Sequence, residues 1–482
     1  MRRKAKKPRR ARRAWMPTGP SLGSPLLTLC VIARDEEDRI ETCLASAARV
    51  VDDVVVIDTG SRDRTPEIAR ELGARVIDVP WRDDFSAARN AGLDAARGRW
   101  VLFLDADEVL EPAHGQELKR RLLRAEVPAF TVEIVSPLGN GEEEVAHVTR
   151  LVRAFHGIRY EGRVHESVIP SICRLLGVPT WTPPRSGLRV RHEGYLPSMR
   201  AARGKLERNR RLLLADIEAR PRDPGPRFLY ARENVPRAGA DLLDLPDARR
   251  SRDILEPAVD LLASLPPRGI TDPALFLAGR LALVTGDVDR AVALAREHLR
   301  LAGRTARWCF AAGERELVHG DPLRAAALFR EARTAPEGAE VLPAENWIRR
   351  DGSLVREAAA LHVAGRPAEG RSLLERVRPG VEPLLVRAFA RAMAEGPAAA
   401  VPLLGEAISG TPADPRPWWA LSAVLGLAGA REKAAEAAET ARRAAPGWSV
   451  VPATGPVDPG RAPVGLLSAL VRLVVEAPAL AG

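Results

Sequence analysis

The chain has 482 residues, 46% of them hydrophobic, which is too long for a single compact core and too apolar for a disordered polymer, so several globular domains are expected. The formal net charge of +10 invites a nucleic-acid reading. However, nine basic side chains fall within residues 1–13 (Arg2, Arg3, Lys4, Lys6, Lys7, Arg9, Arg10, Arg12, Arg13) and no acid does. The remainder is close to neutral and carries no footprint for specific nucleic-acid binding.

Residues 1–24 read as a disordered basic tail and a Pro/Gly/Ser-rich linker. The tail could touch an anionic membrane surface or RNA. The basic region before Leu26-Leu27-Thr28-Leu29-Cys30 and the pair Arg12-Arg13 faintly resemble an export signal. The apolar run is short, lacks a small-residue cleavage site and passes straight into Arg34-Asp35-Glu36-Glu37, so a cytoplasmic location is expected. The four cysteines are scattered without a Cys-x-x-Cys, which argues against a disulfide framework or a zinc site. No stretch approaches the roughly 20 apolar residues of a membrane span.

From residue 25 apolar strands alternate with helical periods. The pattern predicts strands at 26–33, 53–58, 75–79 and 99–105, with helices at 36–50, 65–72 and 85–96. Pro66 suits a first helical turn, and Gly73 and Gly98 suit helix ends. Such alternation implies right-handed βαβ units and a parallel sheet. Beyond Glu111-Pro112 the pattern is mixed: a helix at 116–123, a strand at 130–135, antiparallel strands at 149–155 and 158–164 about His156-Gly157, and a strand at 188–192. From about residue 200 the chain reads as helical, and it repeats. Phe276-Leu277-Ala278-Gly279…Gly286-Asp287…Ala291 aligns with Phe310-Ala311-Ala312-Gly313…Gly320-Asp321…Ala325 at a period of 34 residues, with echoes at Gly365, Gly396 and Gly429. That period resembles the tetratricopeptide repeat, whose helix pairs stack into a superhelix with a concave face. The domains are expected at 25–215 (α/β) and 216–450 (repeats), with 451–482 a linker and capping helix.

Two aspartate turns, 47 residues apart, end predicted strands: Asp58-Thr59-Gly60-Ser61 and Asp105-Ala106-Asp107-Glu108. The carboxyl edge of an open α/β sheet is where ligands bind. Asp105 and Asp107, at i and i+2 of an extended segment, point to one side. Gly60 permits a tight turn, and Ser61 can cap the next helix.

Taken together, Ala33-Arg34-Asp35-Glu36-Glu37, Asp58 to Thr65, Asp84-Phe85-Ser86-Ala87-Ala88-Arg89-Asn90 and Asp105-Ala106-Asp107-Glu108 resemble the family 2 glycosyltransferases of the GT-A fold. The later segments Arg150-Leu151-Val152-Arg153, Glu161-Gly162-Arg163-Val164-His165-Glu166, His192-Glu193-Gly194-Tyr195 and Lys205 to Asn209 resemble the branch with a tetratricopeptide tail. The resemblance implies an α/β GT-A (Rossmann-like) domain followed by an all-α repeat domain. It also implies transfer of a sugar from a nucleotide-diphosphate donor, with uridine diphosphate favoured, to a protein, peptide or cell-envelope glycan acceptor, with inversion. By the same resemblance Mn2+ or Mg2+ is held by Asp107, Asp105 and His192, and Asp105 also holds the ribose or a metal-bound water. Ala33, Arg34, Glu36, Asp58, Gly60, Arg89, Asn90, Asp105 and Ala106 contact the nucleotide or diphosphate. Glu166 is favoured over Glu161 as the general base, with a structural ion pair as its plain alternative. His165 is a further candidate for a metal or phosphate contact. The repeats are expected to bind an acceptor or a partner.

Two other readings stay open. One is a repeat scaffold with a non-catalytic transferase-like domain. The other is a nucleotidyltransferase of related fold, against which the acidic, glycine-free loop Arg34-Asp35-Glu36-Glu37 argues because it would repel a triphosphate.

Overall fold

A computed structural model of the chain describes residues 25–112, 115–137, 143–192, 199–234, 245–264, 270–285, 287–335, 348–377 and 379–444. The expected basic tail and linker at 1–24, Glu193-Gly194-Tyr195, and the expected linker and capping helix at 451–482 lie outside the described residues. The chain divides into two compact units that part between Pro221 and Arg222.

In the first unit, β1 (Leu27–Ala33), α1 (Ile40–Ala47), β2 (Asp53–Asp58), α2 (Thr65–Glu71), β3 (Arg75–Asp78), α3 (Phe85–Ala95) and β4 (Trp100–Asp105) follow one another as the apolar periods predict. They continue into β5 (Glu108–Leu110), α4 (Gly115–Arg124), β6 (Ala129–Pro137), β7 (Glu143–Arg153), α5 (Ile169–Leu176), β8 (Arg185–His192) and α6 (Met199–Ala219). The eight strands form one mixed sheet in the order β3-β2-β1-β4-β7-β6-β8-β5. β1 pairs in parallel with both β2 and β4, opposing Ala33 to Asp58 and Ile32 to Asp105. This register brings the ends of all three strands to one edge. Their apolar runs are continuous because helices cover both faces. Leu27, Leu29, Val31 and Ala33 pack on one side with Ile40, Leu44, Leu118 and Leu122. Cys30, Val55, Ile57, Val101 and Phe103 pack on the other with Ala88, Leu93 and Ile172.

The turn between α3 and β4 depends on Gly98. A Cβ there would stand 2.7 Å from the Thr28 amide nitrogen, and the Gly98 N–H instead donates to Thr28 Oγ1 at 2.8 Å.

The expected hairpin about His156-Gly157 is not formed. β7 pairs antiparallel with β6 and with β4, whereas residues 158–167 form a loop with an isolated bridge between Glu161 and Ser167. Ile158, Tyr160 and Val164 are buried in that loop, so their apolar spacing reflects packing and not a ladder. α6 also runs through the expected domain boundary at 215.

The second unit is helical in its described residues. After α7 (Pro224–Asn234) and α8 (Leu245–Ser264), α9 (Thr271–Val284) and α10 (Val288–Leu301) form a hairpin whose successor is α11 (Ala306–His319) and α12 (Pro322–Thr334). The 34-residue repeat has a direct structural counterpart. Asp287 caps α10 through the Arg290 N–H at 3.0 Å, and Asp321 caps α12 through the Leu323 N–H at 2.8 Å. Helices at Ser353–Val363, Val381–Glu395 and Pro415–Leu427 continue the series. They are followed by Gly365, Gly396 and Gly429, all at positive φ. No helix among the described residues is long and apolar enough to cross a membrane.

Candidate active site

The first two loops at the carboxyl edge are stitched together by the acids that lie on them. Asp58 is buried at the end of β2, and its carboxylate accepts from the Gly60 N–H at 3.3 Å and the Ser61 N–H at 3.2 Å. Ser61 Oγ also donates to Asp58 and accepts the Asp35 N–H at 3.0 Å. In return Asp35 accepts the Arg62 N–H at 2.7 Å, and Glu37 accepts the Arg64 N–H at 3.0 Å. The Ala33 carbonyl takes the Thr59 N–H at 3.0 Å. The acidic loop 34–37 therefore holds the turn after β2 in place. Gly60 sits at φ 105° with open space where a side chain would stand, and Arg34 is exposed at the rim. Glu36 has its carboxyl raised above the usual range by burial and by the charge of Asp107.

The turn after β4 is fixed more tightly still. Arg150 on β7 forms a two-pronged contact with Asp105, Nη1 to Oδ1 at 3.1 Å and Nη2 to Oδ2 at 2.6 Å. Arg89 on α3 adds Nη2 to Oδ1 at 3.1 Å. The Asp105 N–H donates to Glu108 Oε2 at 2.8 Å, and Cys43 Sγ lies 3.4 Å from the Asp105 carbonyl. Burial alone would raise the Asp105 carboxyl, but the two guanidinium groups hold it well below the carboxylate range. Burial pushes the neighbouring Glu108 up to about 7 against the pull of Arg150, with the charge of Asp105 adding to the rise. Asp105 was expected to ligate a metal. In this structure both of its oxygens accept hydrogen bonds from arginines.

Asp107 has the opposite surroundings. It stands two residues on, and its Oδ2 lies 3.0 Å from Nε2 of His192, at the end of β8. β5 and β8 pair with Glu108 opposite His192, so a ladder between residues far apart in sequence delivers the imidazole to the Asp-x-Asp turn. The hydrogen bond that His192 donates to Asp107 raises the His192 pKa, against a smaller opposing effect of burial. Ala106, between the two acids, is buried in the core.

Asn90 and Glu166 both have partners within the fold. Asn90 brackets the backbone of Tyr160, donating to its carbonyl at 3.0 Å and accepting its N–H at 2.9 Å, so its amide holds the 158–167 loop. Glu166 is paired with Nε of Arg89 and is 11% exposed. The plain alternative, a structural ion pair, is what the geometry contains. Glu161 pairs with Arg174. His165 is exposed, with a φ of 54°. The sequence displays both Glu108 and Arg150 in motifs but gives neither a role. Arg150 had a signal in the sequence, a cation placed within the apolar strand before Leu151-Val152.

The chain thus joins an α/β unit, whose strand ends gather acids and arginines at the edge where such sheets bind ligands, to a helical repeat unit. Residues 28–173 match the family model described as glycosyl transferase family 2, and the chain carries a domain of that family. A TPR repeat-containing protein of Synechococcus elongatus is 39% identical over 203 residues, 41% of this chain and 49% of that protein. The SPbeta prophage-derived glycosyltransferase SunS of Bacillus subtilis is 28% identical over 228 residues, 44% of this chain and 49% of that protein. The chain thus spans about half the length of these curated relatives. Glucosyl-3-phosphoglycerate synthase from Mycobacterium tuberculosis is 28% identical over 26% of this chain and 52% of that one, with a TM-score of 0.20, too low to carry a structural argument.

Proposed function

We propose that the protein is a metal-dependent glycosyltransferase that moves a sugar, with inversion, from a nucleotide-diphosphate donor to a protein or cell-envelope glycan acceptor. The observation that carries the reading is the 3.0 Å approach of His192 Nε2 to Asp107 Oδ2 at the strand-end edge. A carboxylate oxygen and an imidazole nitrogen that converge in this way suit a divalent cation. The imidazole favours Mn2+ over Mg2+, which keeps oxygen ligands. Among the described residues no third ligating side chain joins them, so diphosphate oxygens and water would complete the coordination. What the cation supplies when bound is neutralisation of the charge on the departing diphosphate.

The chain's own residues do the rest. The turn at Asp58 and Gly60, with Ala33 and Arg34 opposite, offers backbone groups and an exposed cation to the nucleoside and phosphates. Burial raises the carboxyl of Glu36, and the charge of Asp107 adds to the rise. The repeats present the surface for an acceptor or partner, and a cytoplasmic location would place the site with nucleotide sugars. The deciding experiment measures transfer and hydrolysis of uridine diphosphate sugars with Mn2+ present. Turnover that requires Mn2+ and is lost in Asp107→Ala supports the reading. Turnover unchanged in Asp107→Ala overturns the metal assignment. Absence of both turnover and nucleotide binding in the wild-type protein favours the scaffold reading.

A further inference from the structure

Arg89 is a cation buried in the first unit, with a relative exposure of 5%. Its Nε pairs with Glu166 and its Nη2 with Asp105. The guanidinium is stacked 5.4 Å from the centre of the Phe103 ring and 5.5 Å from that of Tyr160. Burying an ion pair contributes little stability compared with an apolar side chain of similar volume, so its role is to be sought in what it orients. The two carboxylates come from opposite walls. Asp105 ends β4 and begins the turn that carries Asp107. Glu166 belongs to the 158–167 loop, which is tied to α3 by the Phe85 N–H on the Arg163 carbonyl at 2.9 Å and to α6 by the Arg163 N–H on Asp216 at 2.8 Å.

We propose that Arg89 is the positioning residue that couples the metal-bearing turn to the 158–167 loop, and that Asp105 and Glu166 are its two handles, neither a metal ligand nor the general base. The proposal rests on the function given above. Arg150 completes the device by gripping both oxygens of Asp105 from β7, so that the direction in which Asp107 faces His192 is set from two sides. The planar fork of arginine serves two carboxylates at once, which the single ammonium of lysine does not. A movement of the loop on one side is thereby transmitted through a rigid guanidinium to the Asp107 turn on the other.

The test uses the full chain, with wild type, Arg89→Lys, Glu166→Gln, Glu166→Leu and the double variant Arg89→Met/Glu166→Gln. Affinity for Mn2+ in the presence of uridine diphosphate is measured by calorimetry, together with the pH–rate profile. Residues that orient metal ligands change metal affinity by about 10–100-fold when removed. Arg89→Lys and Glu166→Leu are expected to weaken Mn2+ binding by at least about tenfold on that scale, although neither residue meets Asp107. Glu166→Gln keeps an acceptor for Arg89 Nε and is expected to lower turnover by less than about tenfold, with its pH profile retained; loss of a general base typically costs about 10²–10⁴-fold. The double variant, which removes charge and counter-charge together, separates lost coupling from lost folding. A folded double variant with weakened Mn2+ binding supports the proposal. Wild-type Mn2+ affinity in Arg89→Lys and Glu166→Leu, or a Glu166→Gln enzyme that loses its turnover and one limb of its pH profile, overturns it. Failure of the functional reading looks different: the wild-type protein itself then binds no Mn2+ with the nucleotide.

Discussion

Arg356, in the helix Ser353–Val363 of the second unit, has no solvent exposure and offers a quantitative test of how the repeats are held in register. Its Nε lies 2.9 Å from Glu314 of the preceding repeat, and its Nη1 lies 3.2 Å from Glu382 of the following one. Each carboxylate has a further partner, Arg280 at 3.5 Å from Glu314 and Arg416 at 3.2 Å from Glu382. A ladder of alternating charge thus runs through one helix of each successive repeat, with Arg356 at its centre over the ring of Phe310 at 5.0 Å. Breaking a buried pair by deleting one partner costs about 3–5 kcal/mol. Because both acids keep a second cation, Arg356→Ala should lie near the bottom of that range, at about 3 kcal/mol. Arg356→Met combined with Glu314→Gln, which removes both charges and keeps the volume, should cost about 1 kcal/mol or less. Urea unfolding followed by far-UV circular dichroism reads both values. A cost below about 1 kcal/mol for Arg356→Ala, within the range of an exposed pair, would refute the ladder as an element of stability.

Other consequences are equally direct. Asp272 accepts from His298 and Thr305 and pairs with Arg307. Although burial opposes it, these contacts bring its carboxyl down to about 2. A depressed carboxylate stabilises the fold above its unfolded value near 3.9 and loses that contribution as pH falls towards 2. Acid titration of stability should therefore show a loss of about 2 kcal/mol between roughly pH 4 and pH 2 that Asp272→Asn abolishes. If the variant keeps the full acid-dependent loss, the assignment to Asp272 is wrong. Gly279 and Gly313 occupy equivalent positions one repeat apart. A Cβ at Gly279 meets nothing, whereas one at Gly313 meets the Phe329 ring at 2.8 Å. Gly279→Ala should stabilise the helix by about 0.5–1 kcal/mol. Gly313→Ala should destabilise by about 1 kcal/mol after its helix gain offsets part of the overpacking. Thermal unfolding of the two variants should move in opposite directions, and a shift of the same sign would contradict the packing.

The α/β half was legible where its strands are buried on both faces. β1, β2 and β4 appear as apolar runs, the last two ending in Asp58 and Asp105, and parallel pairing of both with β1 places those acids at one edge. Legibility failed where burial and strand formation part company. Ile158, Tyr160 and Val164 alternate like a strand but are buried as a loop that Asn90 and Arg163 anchor. β5 has only three residues, too few for any period, yet it is the strand that aligns His192 with the Asp-x-Asp turn. The acids of the site were all visible. Which partners each of them has was not, because the answer depends on where arginines from β7 and α3 arrive. Asp105 and Asp107 look alike in sequence, but the first lies under two guanidinium groups and the second faces an imidazole. In the repeats the 34-residue period was readable from Gly-Asp pairs because the aspartates cap the second helix of each hairpin. The charge ladder through Arg356 was not, since its partners are contributed by helices 26 to 42 residues away.

Calorimetric titration of uridine diphosphate into the full chain, with and without Mn2+, in wild type and His192→Ala, tests the central claim most directly. The account predicts binding that depends on Mn2+ and is weakened at least about tenfold by loss of one ligand of the Asp107–His192 pair. Nucleotide binding of equal strength with and without Mn2+, unaffected by His192→Ala, would contradict it.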